Sequence, residues 1–169
     1  KFDWLMSSRA SQSRPWNWYS NKNEGGGVIG ALGTHAIDIL HWLFGPTDSV
    51  NAHTATSIPF RICNKTNTKK VVSSEDICLA QIELQEIEQR KKIPAQISLS
   101  SVSRQGRGCW LEIYGSEGTL IIGSDNQKDY VHGFGLWFAG MDGALKSISA
   151  DNDLCFKKTW KDGRIAPVA

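Results

Sequence analysis

The chain has 169 residues, a length typical of one domain. It is 40% hydrophobic and 21% charged and contains seven tryptophans, which supplies enough apolar material for a core and excludes a disordered protein. The net charge is only +2, and its basic residues are scattered, so nucleic acid is not an expected partner. No apolar run approaches the roughly 18 residues of a membrane helix, and no signal-peptide pattern precedes the first strand, so no membrane is expected either.

The cysteine pattern indicates a reducing environment. Cys63, Cys78, Cys109 and Cys155 form no Cys-x-x-Cys pair, and no histidine lies at zinc-finger spacing from them. Two disulfides are possible on count alone, but free thiols are the favoured interpretation. We therefore predict a cytoplasmic protein without a bound metal.

One helix is expected near the start of the chain. Residues 1–24 show no clear period, whereas 34–45 has helical character, with Thr34 as its N-cap and Gly45 followed by Pro46 at its end. The segment is apolar almost all round, which predicts a mostly buried helix.

The remainder of the chain is dominated by strand patterns. Apolar and polar residues alternate with period two in 49–58, 77–86 and 93–100, and 109–123 is predicted to be a hairpin turning at 115–118. Weaker strand candidates lie at 130–138 and 154–160, and 64–70 and 86–92 are predicted to be loops. This pattern predicts an α+β fold with a mainly antiparallel sheet.

The two faces of the expected sheet differ in composition. We expect the helix to pack on the face that carries Ile82, Leu84, Ile97 and Leu99. The other face mixes aromatic and polar side chains and is expected to be covered by a second subunit; it carries Trp110, Tyr114, Gln96 and Ser98.

A glycine cluster precedes the helix. Gly25, Gly27 and Gly30 match the dinucleotide pattern G-x-G-x-x-G, but that pattern requires a buried strand before it and a helix starting inside it. The residues upstream are polar, and Gly33 is expected to interrupt a helix. We therefore predict a tight turn that leads into the helix.

The predicted helix carries one polar stripe, formed by His35, Asp38 and His41 at three-residue spacing. A histidine beside a glycine-rich backbone is a suitable general base, because the unperturbed pKa of an imidazole lies near neutral pH. The alternative is a set of buried polar groups satisfied by their neighbours. Spacing alone leaves both interpretations open.

The glycine and histidine run carries a family resemblance. Residues 25–38, GGGVIGALGTHAID, followed by Leu-Phe-Gly at 43–45, closely resemble the signature of the Gfo/Idh/MocA oxidoreductases. Ser74-Glu75-Asp76 resembles the family's acidic pair, and 114–120 resembles its recurring hairpin. The resemblance spans roughly residues 16 to 123 in the family's order.

The resemblance implies a place in a larger protein. Family members pair an N-terminal Rossmann domain, which binds NAD or NADP, with a C-terminal domain built on an open, mainly antiparallel sheet with helices on one face. Residues 1–169 are expected to be that second domain, which binds substrate and forms the oligomer. The Rossmann half is expected to be absent from this chain, which alone would be inactive. A homodimer or tetramer through the open sheet face is implied.

The resemblance also implies site residues. Catalysis in the family uses a lysine from the Rossmann half together with the motif histidine, which is His35 here. The motif aspartate four residues earlier is replaced by Ala31, and Asp38 is expected to bind substrate or serve the structure. An alanine side chain can neither relay a proton nor orient an imidazole. The departure means that the chemistry rests on the absent lysine and His35, that the substrate differs, or that redox activity is lost.

Aromatic and basic residues before the glycine run are further candidates. Trp16, Trp18 and Tyr19 are expected to wall the substrate, since aromatic faces pack well on sugar rings, although such clusters are often simple core. Arg9 and Arg14 either meet an acidic substrate or are solvated surface. The expected activity is hydride transfer to NAD or NADP from a sugar, polyol or related alcohol. The alternative is a non-catalytic ligand sensor on the same scaffold.

Overall fold

The computed structural model describes residues 1–86, 91–126, 134–151, 155–159 and 165–167. Its one α-helix, α1, is Thr34–Phe44, preceded by short helical turns at Trp18–Ser20, Lys22–Glu24 and Ile29–Gly33. The strands are β1 Phe2–Leu5, β2 Thr47–Ala55, β3 Phe60–Cys63, β4 Thr68–Val71, β5 Ile77–Gln85, β6 Lys92–Ser100, β7 Gly108–Gly115, β8 Gly118–Ser124, β9 Gly135–Gly140, β10 Lys146–Ile148, β11 Cys155–Thr159 and β12 Ile165–Pro167. This is the predicted α+β fold with a mainly antiparallel sheet. The chain forms two compact units, Lys1–Arg107 and Gly108–Ala169.

The first unit contains four paired strands in the order β1-β6-β5-β2. β5 pairs antiparallel with both β2 and β6, while β1 runs parallel to β6. The alternation predicted for β5 is confirmed, because Cys78, Ala80, Ile82 and Leu84 are all buried. In β6, Ile97 and Leu99 are buried in the same way.

Helix α1 packs on the predicted face of this sheet. Ala36 and Leu40 are buried, and a Cβ atom built on Gly33 would lie 3.2 Å from Leu99 Cδ1. The prediction that the helix is mostly buried is wrong, however, because one sheet covers only one side of it. The other side exposes large apolar side chains, namely Ile37, Ile39, Trp42 and Leu43.

Strand β2 also differs from its pattern. The alternation in 49–58 predicted one covered face, but every residue from 48 to 55 is exposed, including Val50 at 65%. β2 is the edge strand of the first unit, and no described element packs closely on either of its faces there.

Five short strands were not expected from the sequence, namely β1, β3, β4, β10 and β12. β1 has no exposed face, because Phe2, Asp3 and Trp4 are all buried. β3 and β4 form a hairpin, and β4 overlaps the end of the segment 64–70 that was predicted to be a loop. Periodicity over only four residues is too weak a signal to separate a strand from a loop.

The second unit contains the predicted hairpin. β7 and β8 pair through a two-residue turn, with Gly115 opposite Gly118. β9 and β10 extend this ladder antiparallel, and Trp110 stacks on Trp137 with ring centroids 5.5 Å apart. The strand predicted at 130–138 begins at Gly135, and its residues 130–133 lie outside the described residues. The strand predicted at 154–160 is present as β11, whereas 154 and 160 are not described.

One helical stretch, Lys22–Phe44, has 23 residues and enough apolar content to match a membrane span by length and composition. The sequence predicted no apolar run of that length, so this stretch is a difference from the expectation. Gly25 and Gly27, with φ of +73° and +100°, break this stretch before α1, so it is not one continuous helix.

Candidate functional site

The helix that carries His35 starts earlier than its sequence suggests. The chain turns at Gly27, and the backbone N–H of Val28 then donates to the Glu75 carbonyl at 2.9 Å. The N–H of Ile29 donates to Glu75 Oε1 at 3.0 Å. A Cβ atom at Gly27 would collide with this carboxylate, so only glycine fits. Glu75 therefore caps the helix from a distant part of the chain.

Thr34 is consequently not the N-cap, which corrects the sequence prediction. Its N–H donates to the carbonyl of Ile29, five residues back, which is the pattern of a π-helical turn. Its hydroxyl donates to the Gly30 carbonyl at 3.2 Å. Gly33 does not interrupt the helix either, because the helical turns run through it without a break into α1.

His35 lies on the exposed side of this helix. Its ring centroid is 6.5 Å from that of the buried Trp4, and within the described residues its side chain has no hydrogen-bond partner. Asp38, one turn on, is also exposed and makes no hydrogen bond to His35 in the described structure. The alternative of buried, internally satisfied polar groups does not apply to this pair. An exposed imidazole on a fixed helix can accept a proton from a bound hydroxyl.

His41, the third residue of the stripe, has a different environment. Its Nε2 lies 2.8 Å from Thr47 Oγ1 and accepts the Thr47 backbone N–H at 3.2 Å. It thereby ties the end of α1 to the start of β2. His41 therefore has a structural environment that differs from the open environment of His35.

The three aromatic candidates do not form one cluster. Trp16 donates its Nε1–H to the Val71 carbonyl at 2.9 Å, and the Lys70 ammonium lies 4.6 Å from its ring centroid. Trp16 therefore anchors the β3–β4 hairpin. Trp18 is 52% exposed, and its ring lies 5.7 Å from that of Tyr19.

Tyr19 faces a buried polar cluster. The Arg9 guanidinium lies 4.7 Å from its ring centroid, and burial raises the pKa of the Tyr19 phenol. Arg9 is 6% exposed and donates to Asn17 and Ser20 at 3.3 Å each, so the expectation of a solvated Arg9 is wrong. The Arg9 guanidinium contacts Asn17, Ser20 and Tyr19, which lie 8 to 11 residues away in the sequence. Arg14, in contrast, is exposed as expected.

The same cluster contains groups that the sequence analysis did not assign. A small cavity is lined by Arg9, Tyr19, Arg61, Asp76 and Ser101, among others. The Asp76 carboxylate accepts backbone N–H groups of the loop that follows β2, at 2.8–3.0 Å. The sequence signal that could have pointed to Glu75 and Asp76 is their position as an acidic pair directly before the alternating strand β5.

The glycine run does not fit a dinucleotide. A pyrophosphate needs free N–H groups at a helix N-terminus, but here the Glu75 carboxylate already occupies that position. Two short helical turns precede the glycines in place of a strand. Within the described ranges, no group of three or more His, Cys, Asp or Glu residues is placed to hold a metal ion.

Comparison with known proteins identifies the family. The model of the GFO/IDH/MocA C-terminal domain matches residues 2–121. An uncharacterized oxidoreductase of Synechocystis sp. (strain ATCC 27184 / PCC 6803 / Kazusa) is 44% identical over 169 residues, which cover 99% of this chain and 44% of that protein. The chain thus spans less than half the length of this relative.

Solved structures share the fold. Levoglucosan dehydrogenase in complex with NADH and L-sorbose superimposes with a TM-score of 0.71 at 21% identity, covering 88% of this chain and 38% of that one. The transcriptional regulator Gal80p from Kluyveromyces lactis gives a TM-score of 0.59 at 17% identity, covering 90% of this chain and 38% of the regulator. With its family-specific run and its open sheet carrying one helix, this chain belongs to the GFO/IDH/MocA oxidoreductases, and residues 2–121 are their C-terminal domain.

Proposed function

We propose that this chain is the substrate-side domain of an NAD(P)-dependent oxidoreductase that acts on a sugar, polyol or related alcohol. The observation that carries the proposal is His35, an exposed imidazole without a hydrogen-bond partner in the described structure. It lies on a helix anchored by Glu75 at one end and by His41 at the other. A general base must be rigidly placed and accessible, and His35 meets both conditions.

His35 supplies the proton chemistry in this proposal. In the intact protein, NAD or NADP held by the Rossmann half would supply the acceptor for the hydride of the alcohol carbon. His35 binds the substrate hydroxyl through the imidazole and accepts its proton, together with a lysine of the absent half. Ala31 contributes no polar group that could orient the imidazole.

The apolar side of α1 supports a second domain in the intact protein. Trp42 is 78% exposed and Leu43 41%, although both are large apolar side chains on the one α-helix of the described residues. The Synechocystis relative is more than twice as long as this chain. We propose that the nucleotide-binding half covers this side of α1 and thereby brings the nicotinamide towards His35.

Substrate contacts are proposed for residues near the same helix. Trp18 is exposed and offers an open indole face to a sugar ring, and Asp38 offers a carboxylate to its hydroxyls. Trp16 and Tyr19 are held by their own contacts and are expected to support this wall rather than move with the ligand.

The test uses the intact protein and a panel of free sugars and polyols, with levoglucosan and L-sorbose among them. His35→Ala is expected to lower kcat/KM by about 10²–10⁴-fold without loss of folding. His53→Ala, an exposed histidine on β2, is the matched control and should keep kcat/KM. Full turnover by His35→Ala would refute the catalytic assignment.

A second function is favoured by a specific observation. Ala31 stands where the family's aspartate is expected, and a transcriptional regulator has the same fold. On this alternative, the intact protein binds a sugar-like ligand and cofactor without turnover. Calorimetry that shows saturable binding, together with no change in nicotinamide absorbance over hours, would favour it over the enzyme.

Assembly and location are also proposals. Tyr114 is 67% exposed on β7, and Gln96 is exposed on β6, as expected for surfaces that a second subunit covers. We propose a homodimer or tetramer, which sedimentation of the intact protein would show. Cys63, Cys78 and Cys109 are free, which supports a cytoplasmic location.

A further inference from the structure

The π-helical turn before His35 separates two anchored parts of one helix. The first part is held by the Glu75 carboxylate, whose Oε1 accepts the Ile29 N–H at 3.0 Å. The second part is held by the sheet, because Ala36 and Leu40 are 0% and 2% exposed. A π-helical turn contains one residue more than an α-helical turn. The residues held by the sheet are therefore shifted by one position along the helix relative to the residue held by Glu75.

This offset decides which side chains face outwards. Each residue of an α-helix is rotated by about 100° from the last, since there are 3.6 residues per turn. In a straight helix that started from Ile29, His35 would take the direction that Ala36 now has, which points into the core. The π-helical turn lets Ala36 face the sheet and His35 face outwards while Glu75 keeps its hydrogen bond.

We propose that Glu75 is a positioning residue for His35. By holding the Ile29 N–H, its carboxylate maintains the π-helical turn Ile29–Gly33 and with it the placement of that turn relative to His35. Without the carboxylate, the start of the helix keeps only the Val28 N–H bond to the Glu75 carbonyl, and its first turn can come into step with the rest by turning about 100°. The proposal deepens the proposed function, because it assumes that the placement of His35 matters for catalysis.

The test is Glu75→Ala in the intact protein, with Glu75→Gln beside it. Glu75→Ala is expected to shift the ¹⁵N resonances of the His35 imidazole and to lower kcat about 10- to 100-fold, with the KM for the sugar or polyol within about twofold. Glu75→Gln should restore most of both, because its amide oxygen still accepts the Ile29 N–H. Glu83→Ala, the same change at a half-buried position on β5, should alter neither.

The proposal is overturned if Glu75→Ala leaves the His35 resonances as in the wild type, even if the melting temperature falls, because Glu75 is then only a helix cap. If Glu75→Ala does not fold, Glu75→Asp takes its place, since the shorter side chain cannot reach Ile29 in the same geometry. The His35 resonances report on position without turnover. If His35→Ala kept full turnover, the proposed function would be refuted, but the His35 resonances of Glu75→Ala would still test the positioning role of Glu75.

Discussion

The Arg61 guanidinium donates through Nη2 to the backbone carbonyl of Arg9 at 2.6 Å, across 52 residues of sequence. Its Nη1 also donates to the carbonyls of Ser11 and Arg14 at 2.8 and 3.2 Å. Arg61 is 4% exposed. One buried side chain from the β3–β4 hairpin thus holds the loop that leads to the aromatic candidates.

Arg61→Met should destabilise the protein. The substitution leaves partly buried carbonyls without donors, and we expect the free energy of unfolding to fall by about 2–4 kcal/mol. Urea denaturation measures this change. Arg14→Met, at an exposed side chain, is the matched control and should stay within about 0.5 kcal/mol. A loss as small for Arg61 as for Arg14 would show that the loop is held by other contacts.

Asp38 should contribute little to folding. Its side chain is exposed, and no described contact would be broken by its removal. Asp38→Ala is therefore expected to change the free energy of unfolding by no more than about 0.5 kcal/mol while raising the KM for the alcohol substrate. Thermal melting and steady-state kinetics of the intact protein separate the two effects. A large drop in melting temperature with an unchanged KM would remove Asp38 from the substrate site.

Trp42 should be shielded in the intact protein, although it is 78% exposed in this chain. If the nucleotide-binding half covers it, Trp42→Ser creates a cavity at a packed contact and costs about 3–5 kcal/mol. Hydroxyl-radical footprinting of the intact protein should also show that Trp42 is protected. Strong oxidation of Trp42, together with an unchanged melting temperature for Trp42→Ser, would contradict the proposed domain contact.

The described cysteines should differ in thiolate formation. Hydrogen bonding from the Thr66 hydroxyl, followed by nearby backbone N–H groups, lowers the pKa of Cys63. Burial raises the pKa of Cys78, and it raises the pKa of Cys109 to about 12. Alkylation by iodoacetamide at pH 8, followed by mass spectrometry, should modify Cys63 before the other two.

Thr66→Val should slow the alkylation of Cys63, because it removes the hydroxyl that stabilises the thiolate. Thr54→Val, at an exposed threonine on β2, is its control. Equal rates at the three cysteines in the folded protein would show that access, rather than thiolate formation, limits the reaction.

The ion pairs of Lys92 should make stability depend on pH at both extremes. Lys92 Nζ lies 2.9 Å from carboxylate oxygens of both Asp48 and Glu83, and hydrogen bonds from Lys92 and then Ser49 lower the pKa of Glu83. Glu83 therefore stabilises the folded state above its unfolded pKa, and this contribution is lost as pH falls through its lowered folded pKa.

The contribution of Lys92 to stability depends on pH in the opposite direction. Hydrogen bonds to Asp48 and then Glu83 raise its pKa, so its contribution is complete below the unfolded pKa and is lost as pH rises through the folded one. Urea denaturation of Lys92→Met across pH should show a smaller loss of stability in acid than the wild type shows. Parallel profiles for the two proteins would mean that these exposed pairs are energetically silent.

Local patterns in the sequence determined a large part of this protein. The alternation in β5 and β6 and the glycine turn of the β7–β8 hairpin identified those strands, because period and turn chemistry act between near neighbours. The run 25–38 identified the family and singled out His35 on the same local basis. These features need no knowledge of what packs against them.

Only the tertiary structure decided the start of the helix, its exposed apolar side and the burial of Arg9. Thr34 is a reasonable N-cap by type, but Glu75, 46 residues from Ile29, takes that role. Whether Trp42 or Val50 is covered depends on which elements lie beside it, not on its own segment. Such pairings join residues far apart in the chain, and their free energy arises only once the whole sheet and helix have formed.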